Sequence, residues 1–127
     1  MGKIMVITAS QSIEDRLKTA ISELLEAGID LQMWVIPKDC SPNEFRRQIV
    51  ESHADVYIVG SSMANTLSAY VKAHTSNIVI GIPISSDSSD TDNAILNTNG
   101  LPTGTPYGIT MPDDISTIHR VAKKLTA

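Results

Sequence analysis

Hydroxyl side chains cluster in the short segment that follows the first apolar run of the sequence. Ser10 and Ser12 flank Gln11, immediately before a stretch with helical spacing. The N-terminus of a helix offers free backbone N–H groups and a partial positive charge, which suit an anion such as a phosphate. A single serine at that place also serves as a helix cap. Because two serines are present, the segment is open to both interpretations, a cap alone or an anion site.

A cation, a carboxylate, a thiol and a hydroxyl follow one another in the second polar segment. They are Lys38, Asp39, Cys40 and Ser41. Together these groups could hold a ligand. The alternative is a solvated turn in which Ser41 or Asn43 caps the next helix and Pro42 takes its first position. The sequence places no activating base near Cys40, so an inert thiol is the simpler interpretation.

Small polar residues make up a third segment, which begins at Gly60. Its candidate ligand-binding side chains are Ser61, Ser62 and Asn65. Glycine and serine leave room for a ligand to approach the backbone closely. This segment therefore completes a set of three loops that could surround one small molecule.

The three histidines give little support to a catalytic role, and the known catalytic signatures are missing from the sequence. His53 and His119 fall inside predicted helices and His74 lies beyond one, so surface positions are the simpler interpretation. The sequence contains no dinucleotide fingerprint, P-loop or nucleophile elbow. Nor does it have the Cys and His spacing of a zinc site. We expect neither a cofactor nor a metal.

Short apolar runs separate the polar segments and have the β-branched composition of strands that are buried on both faces. The predicted strands are 3–8, 31–36, 55–60, 77–82 and 106–111, and the predicted helices are 13–25, 43–52, 63–73 and 113–125. Gly28 marks the end of the first helix. The last helix is expected to carry Asp113 and Asp114 in its first turn and Lys123 and Lys124 in its last. Residues 85–92 are too polar for a core and are predicted to form a surface loop of undetermined role.

This alternation predicts an α/β fold, a flavodoxin-like, three-layer, doubly wound sheet of five parallel strands in the order 2-1-3-4-5. Right-handed crossovers make that order the default, with the first and third strands adjacent. We expect residues 1–127 to form a single domain. In such sheets ligands bind beyond the carboxyl ends of the strands, which is where the three polar segments should meet.

Charge and hydropathy exclude several classes of partner. The net charge of −4 argues against sequence-independent binding to nucleic acid, which needs a basic surface to replace the counterions at the phosphates. No apolar run is long enough to span a membrane, and the sequence around Gly2 has no signal-peptide pattern. We expect a cytoplasmic protein that binds a small molecule and does not bind a membrane.

Taken in chain order, the polar segments resemble those of the PurE family, the carboxyaminoimidazole ribonucleotide mutases and aminoimidazole ribonucleotide carboxylases (AIR carboxylases) of purine biosynthesis. The family motifs G-S-D-S-D, S-A-H-R-T-P and G-A-G-G-A-A-H-L-P-G correspond to residues 9–13, 37–42 and 60–69. The family's I-G-V-P resembles residues 80–83, and its M-P-G-G-V-P resembles residues 101–106. The last two matches are the most specific, because order, spacing and the Pro and Gly positions agree.

Reactive residues of these family motifs are replaced in this sequence. The resemblance places Asp39 where the family has its proton-transferring histidine and Cys40 where an arginine helps to hold the nucleotide phosphate. Thr66 matches a second histidine, and Gln11 and Ile13 match two aspartates. An aspartate, with an ordinary pKa of about 3.9 against about 6.5 for histidine, is a weaker base at neutral pH. The chain is therefore interpreted as a divergent member without the catalytic histidine.

Two hypotheses follow for its function. In the first, the protein binds a small anionic, phosphorylated, nucleotide-like ligand at the strand ends, with a link to purine biosynthesis. Any activity would then be of the PurE mutase or carboxylase type, and the sequence leaves open whether activity remains. In the second, it is a non-catalytic paralogue used for ligand sensing or assembly. The resemblance also implies a homo-oligomer, with an octamer as one form, and Leu67, Tyr70 and Val71 are expected to be available for subunit packing.

Overall fold

A computed structural model of the protein describes residues 2–9, 11–61, 64–84, 107–110 and 114–126. At residues 11–14, 16, 64, 65 and 126 it describes the backbone alone. The strands are β1 Lys3–Thr8, β2 Asp30–Val35, β3 Val56–Ser61, β4 Ile78–Pro83 and β5 Gly108–Ile109. The helices are α1 Gln11–Glu26, α2 Pro42–Ser52, α3 Ala64–Lys72 and α4 Ser116–Thr126.

The sheet confirms the predicted topology. Its five strands are all parallel and lie in the order β2-β1-β3-β4-β5. Ile4 of β1 pairs with Val56 of β3, so the two most apolar strands are adjacent at the centre. β1 to β4 lie within one residue of their predicted bounds. β5 is shorter than predicted, and the ends of its predicted range, Pro106 and Met111, lie outside the described residues.

Successive residues of each central strand serve two separate cores. Ile4 and Val6 face a cluster built with Leu17 and Ile21 of α1 and Ile118 of α4. The intervening β1 residues face a second cluster on the other side of the sheet, whose helical members are Phe45, Ile49 and Val71. This arrangement follows from the period of two along a strand, and it explains why β1 is apolar at nearly every position.

Val71 corrects one expectation from the sequence. Its side chain is fully buried in the core beneath α3, so it is not available for packing against another subunit. Leu67 is partly buried against the same cluster, whereas Tyr70 remains 47% exposed. The apolar spacing of α3 is therefore explained by the protein's own core.

The end of α1 has the structure that Gly28 predicts. Gly28 adopts a positive φ of 83°, which glycine tolerates without steric cost. Its N–H donates to the Leu25 carbonyl oxygen and the Ile29 N–H donates to that of Leu24, both at 3.1 Å. These two bonds form a Schellman motif, which satisfies carbonyl groups that the helix itself leaves free.

The start of α4 differs from the prediction. The helix begins at Ser116, so Asp114 precedes it and is not in its first turn, while Asp113 lies outside the described residues. Lys123 and Lys124 do occupy the last turn, as expected. None of the helices within the described ranges is long and apolar enough to cross a membrane.

Candidate functional site

The carboxyl ends of four strands lie side by side and define one edge of the site. Thr8, the last residue of β1, pairs with Val35 of β2 on one side and with Gly60 of β3 on the other. Gly60 in turn pairs with Ile82 of β4. The loops after β1, β2 and β3 therefore leave the sheet from neighbouring positions, as the sequence predicts for a ligand site.

The loop after β2 is a tight turn that leads directly into α2. The Cys40 N–H donates to the Pro37 carbonyl oxygen at 3.1 Å. Ser41 has an extended backbone, and its hydroxyl accepts a hydrogen bond from the Glu44 N–H at 3.2 Å. Of the two candidate caps, Ser41 is therefore the one used, with Pro42 at the first helical position. The Ser41 hydroxyl is already engaged in this cap.

Lys38 and Asp39 lie at the exposed tip of this turn. Within the described parts of the chain, neither side chain makes a hydrogen bond or an ion pair. Their charges face solvent at the edge where β2 and β1 end. An exposed ammonium group of this kind can attract an anionic ligand without first giving up an internal partner.

Cys40 is half-buried, and its surroundings suppress the reactivity of its thiol. Burial raises the pKa of the Cys40 thiol, and the carboxylates of Glu44 and Asp39 raise it further. The thiol donates to the Ser41 carbonyl oxygen, with sulfur and oxygen 3.6 Å apart. Because the thiolate is the nucleophilic form, this environment fits the inert thiol that the sequence indicates.

The first and third loops are described in part. Ser10 and Ser62 lie outside the described residues. Gln11 and Ser12 are the first two residues of α1, and Asn65 lies in the first turn of α3. For these three the backbone alone is described. Because Ser12 lies within α1, it is not the residue that precedes and caps that helix.

Two buried hydroxyl groups line the strand ends between these loops. Ser61, a predicted site residue, closes β3 and is 4% exposed. Thr8, which was predicted only as a strand residue, is fully buried at the end of β1; it pairs with Gly60, so its side chain lies on the opposite face of the sheet from that of Ser61. A polar residue that ends an apolar strand at the switch point is the signal that could have identified Thr8.

The histidines lie away from this edge. His53 caps the C-terminus of α2 with a φ of 51°, so its predicted place inside the helix is wrong. The His119 Nε2 atom lies 3.2 Å from a carboxylate oxygen of Glu23. The His74 ring packs against Phe45 and Tyr70, with centroid distances of 5.9 Å to each. Among the described residues there is no cluster of His, Cys, Asp and Glu that could hold a metal ion.

Comparison with known proteins agrees with this architecture. Residues 3–124 match the AIR carboxylase family. The chain is also similar to an N5-carboxyaminoimidazole ribonucleotide mutase of Saccharolobus solfataricus, with 28% identity over 109 residues, which cover 84% of this chain and 69% of that protein. The family match covers all the described strands and the three loops at their carboxyl ends. The chain therefore belongs to the AIR carboxylase family, the PurE family.

Proposed function

We propose that this protein binds a small phosphorylated, nucleotide-like anion at the carboxyl ends of β1, β2 and β3, without performing the family's standard proton transfer. Membership of the AIR carboxylase family links the chain to purine biosynthesis. The observation that carries the proposal is the exposed Lys38, which lies in the loop after β2 and whose ammonium group has no partner among the described residues. The ligand-contacting set would be the sequence-predicted residues Ser10, Gln11, Ser12, Lys38, Asp39, Cys40, Ser41, Ser61, Ser62 and Asn65.

Anion binding requires only groups that this chain retains. The N-terminus of α1 supplies backbone N–H groups beside the end of β1, and Lys38 supplies a full positive charge at the neighbouring loop. Gly60 has no side chain, so a ligand at the end of β3 would meet no side chain at that position. Ser61 would form part of the wall of the site, since its side chain is almost fully buried.

The family's proton transfer requires groups that this chain lacks. A carboxylate at position 39 is a poorer base at neutral pH than an imidazole. The thiol at position 40 is neutral, because burial and the nearby carboxylates raise its pKa. A neutral thiol cannot form the charged, bidentate contact that a guanidinium group makes with phosphate. The alternative function is that of a non-catalytic paralogue used for ligand sensing or assembly, and ligand sensing would use the same site and the same binding step.

Thermal denaturation in the presence of candidate ligands tests the binding. Carboxyaminoimidazole ribonucleotide and aminoimidazole ribonucleotide should raise the midpoint temperature, because a ligand of the folded state stabilises it. Lys38→Gln should reduce that rise. Lys18→Gln, which makes the same charge change on the exposed side of α1, should leave it unchanged. Equal effects of both substitutions, or no rise with either ribonucleotide, would contradict the proposal.

We also propose that the protein forms a homo-oligomer. Val50 of α2 and Tyr70 of α3 are each 47% exposed, on two helices that cover the same face of the sheet. Burial of such side chains between symmetric copies would remove apolar surface from water. Light scattering should report an assembly larger than a monomer, and Tyr70→Glu should shift it towards monomer. A monomer at micromolar concentration would exclude the assembly.

A further inference from the structure

An apolar groove lies on the face of the sheet that α1 and α4 cover, well away from the loops described above. It has a volume of about 600 Å³ and runs between α4 and the strands β4 and β5. Its apolar lining consists of Val56, Ile78, Ile80, Ile109, Val121 and Leu125. Val56 and Ile78 are the first residues of β3 and β4, so the groove lies near the amino ends of the strands. The candidate ribonucleotide site is at their carboxyl ends.

Within the described ranges, the sheet offers little to fill the groove. β5 is only two residues long, and Gly108 leaves a gap on its inner surface: a Cβ atom placed there would have no neighbour within 4 Å. The Ile78 side chain is 60% exposed, although it is one of the largest apolar side chains of β4. Exposed aliphatic surface in a concavity of this size is typical of a small-molecule site.

Two cationic side chains border the groove, and they differ in whether they already have hydrogen-bond partners. Arg120 donates to Asp114 at 2.8 Å, to Ser116 at 2.7 Å and to Thr117 at 2.9 Å. Lys124 lies one helical turn further along the same side of α4, is exposed, and has no hydrogen-bond or ion-pair partner in the described part of the chain. Lys124 is therefore the cation available for a ligand at the mouth of the groove.

We propose that this groove binds a small amphiphilic anion, a medium-chain aliphatic carboxylate. Its hydrocarbon chain lies on the apolar surface of β4, β5 and α4, and its carboxylate pairs with the ammonium group of Lys124. Both parts of this chemistry come from the groove itself: an aliphatic lining and, among the described residues, one positive charge at its edge without a partner. The site is independent of the proposed ribonucleotide site, because the two share no residue and lie at opposite ends of the sheet.

Calorimetric titration with octanoate and octanol tests the proposal. Octanoate should bind the wild-type protein more tightly than octanol, which has the same chain without the charge. Lys124→Gln should weaken octanoate binding about tenfold, the loss expected for one charge-assisted contact, and leave octanol unaffected. Lys123→Gln removes a neighbouring charge that does not line the groove, and it should change neither affinity.

A substitution inside the groove tests the apolar half of the site. Gly108 pairs with Ile80, whose side chain lines the groove, so a side chain at position 108 projects to the same side of the sheet. Gly108→Val should fill the space and weaken both probes. Failure of octanoate to bind, or an equal loss with Lys123→Gln and Lys124→Gln, would overturn the proposal. The proposal would also be overturned if the wild type forms a dimer that Gly108→Val dissociates and octanoate does not bind. A second copy of the chain would then occupy the groove.

Discussion

The hydroxyl groups of Tyr57 in β3 and Ser52 in α2 lie 2.9 Å apart in the interior of the protein. Each hydroxyl oxygen also lies 2.8 Å from the carbonyl oxygen of Ile49, so two hydroxyl protons serve three contacts, and either one hydroxyl donates to the other or both donate to the carbonyl. The Lys3 ammonium group donates to the Ser52 carbonyl oxygen, likewise at 2.8 Å. These contacts satisfy carbonyl groups at the C-terminal end of α2, where the helix has no N–H groups left to offer, and they tie that end to β1 and β3.

Removal of the Tyr57 hydroxyl group should destabilise the protein, although the substitution removes only one oxygen atom. Tyr57→Phe leaves the Ser52 hydroxyl and the Ile49 carbonyl with fewer partners in a buried environment, and we expect the free energy of unfolding to fall by about 1–2 kcal/mol. Urea denaturation measures the change. Tyr70→Phe is the matched control, because Tyr70 is half-exposed, and it should cost less than about 0.5 kcal/mol. Equal costs for the two substitutions would show that the buried network contributes nothing.

The sheet could be predicted from the sequence because buried parallel strands have a simple sequence pattern. Uninterrupted apolar runs such as residues 3–8 have few alternatives to a central strand, and the helices between them require parallel order. Local chemistry also placed Pro42 at the start of α2 and narrowed its cap to Ser41 or Asn43. The sequence could not predict the Tyr57 network, because it joins residues of β1, α2 and β3 through the tertiary fold. Likewise, whether Val71 faces its own core or a partner depends on the packing of α3, which spacing alone does not determine.

The hydroxyl of Ser41 should account for a measurable part of the stability of α2. Ser41→Ala removes the acceptor for the Glu44 N–H, and loss of such a cap costs about 1 kcal/mol. Ser41→Asp should retain most of the stability, since a carboxylate also caps a helix and interacts favourably with its dipole. Asn43→Ala is the control, because Asn43 lies two residues further on and is not the residue that caps the helix. If Ser41→Ala unfolds at the same urea concentration as the wild type, the cap is energetically negligible.

The thiol of Cys40 should react slowly at neutral pH. Its pKa lies above the usual 9.0, chiefly because of burial, so the thiolate fraction at pH 7 is smaller than that of an ordinary cysteine. The rate of alkylation by iodoacetamide should therefore rise only in alkaline solution. Glu44→Gln removes one of the carboxylates that raise the pKa of Cys40, and it should increase the rate at neutral pH, whereas Glu51→Gln should not. A rate at pH 7 above that of free cysteine would contradict this account.

The ion pair between Asp114 and Arg120 should add a small, pH-dependent contribution to stability. Hydrogen bonds from Ser116 and Arg120 lower the pKa of Asp114 below its usual 3.8. A carboxyl whose pKa is lower in the folded state stabilises the fold at pH values above its unfolded pKa. That contribution disappears as the pH falls through the folded pKa. Since Arg120 is largely exposed, the gain should stay below about 1 kcal/mol.

Denaturation of Asp114→Asn across pH measures that contribution. The variant should be slightly less stable than the wild type near neutrality, and the difference should vanish in acid as the pH falls through the lowered pKa of Asp114. Asp30→Asn, at the exposed start of β2, is the control for a simple change in net charge. A stability difference that persists unchanged in acid would mean that the Asn substitution acts through something other than the carboxylate.

Replacement of Asp39 and Cys40 by the residues that the family has at these positions should restore part of the family's chemistry. Asp39→His supplies an imidazole with an ordinary pKa of about 6.5, close enough to neutrality to accept and return a proton. Cys40→Arg supplies a planar cation that can hold two phosphate oxygens at once. The wild type should turn over carboxyaminoimidazole ribonucleotide well below about 1 per second, the lower end of ordinary enzyme rates.

The double variant Asp39→His with Cys40→Arg should show a detectable turnover, still slower than an ordinary enzyme because Gln11, Ile13 and Thr66 also differ from the family motifs. Asp39→Gln with Cys40→Arg is the matched control: it gains the phosphate-binding cation without the base. This control should bind the ribonucleotide more tightly than the wild type and remain inactive. If both double variants bind more tightly and neither turns over substrate, the loop after β2 does not hold position 39 where the family's proton transfer requires it. If the wild type itself reaches about 1 per second, the histidine is dispensable and the proposed loss of activity is wrong.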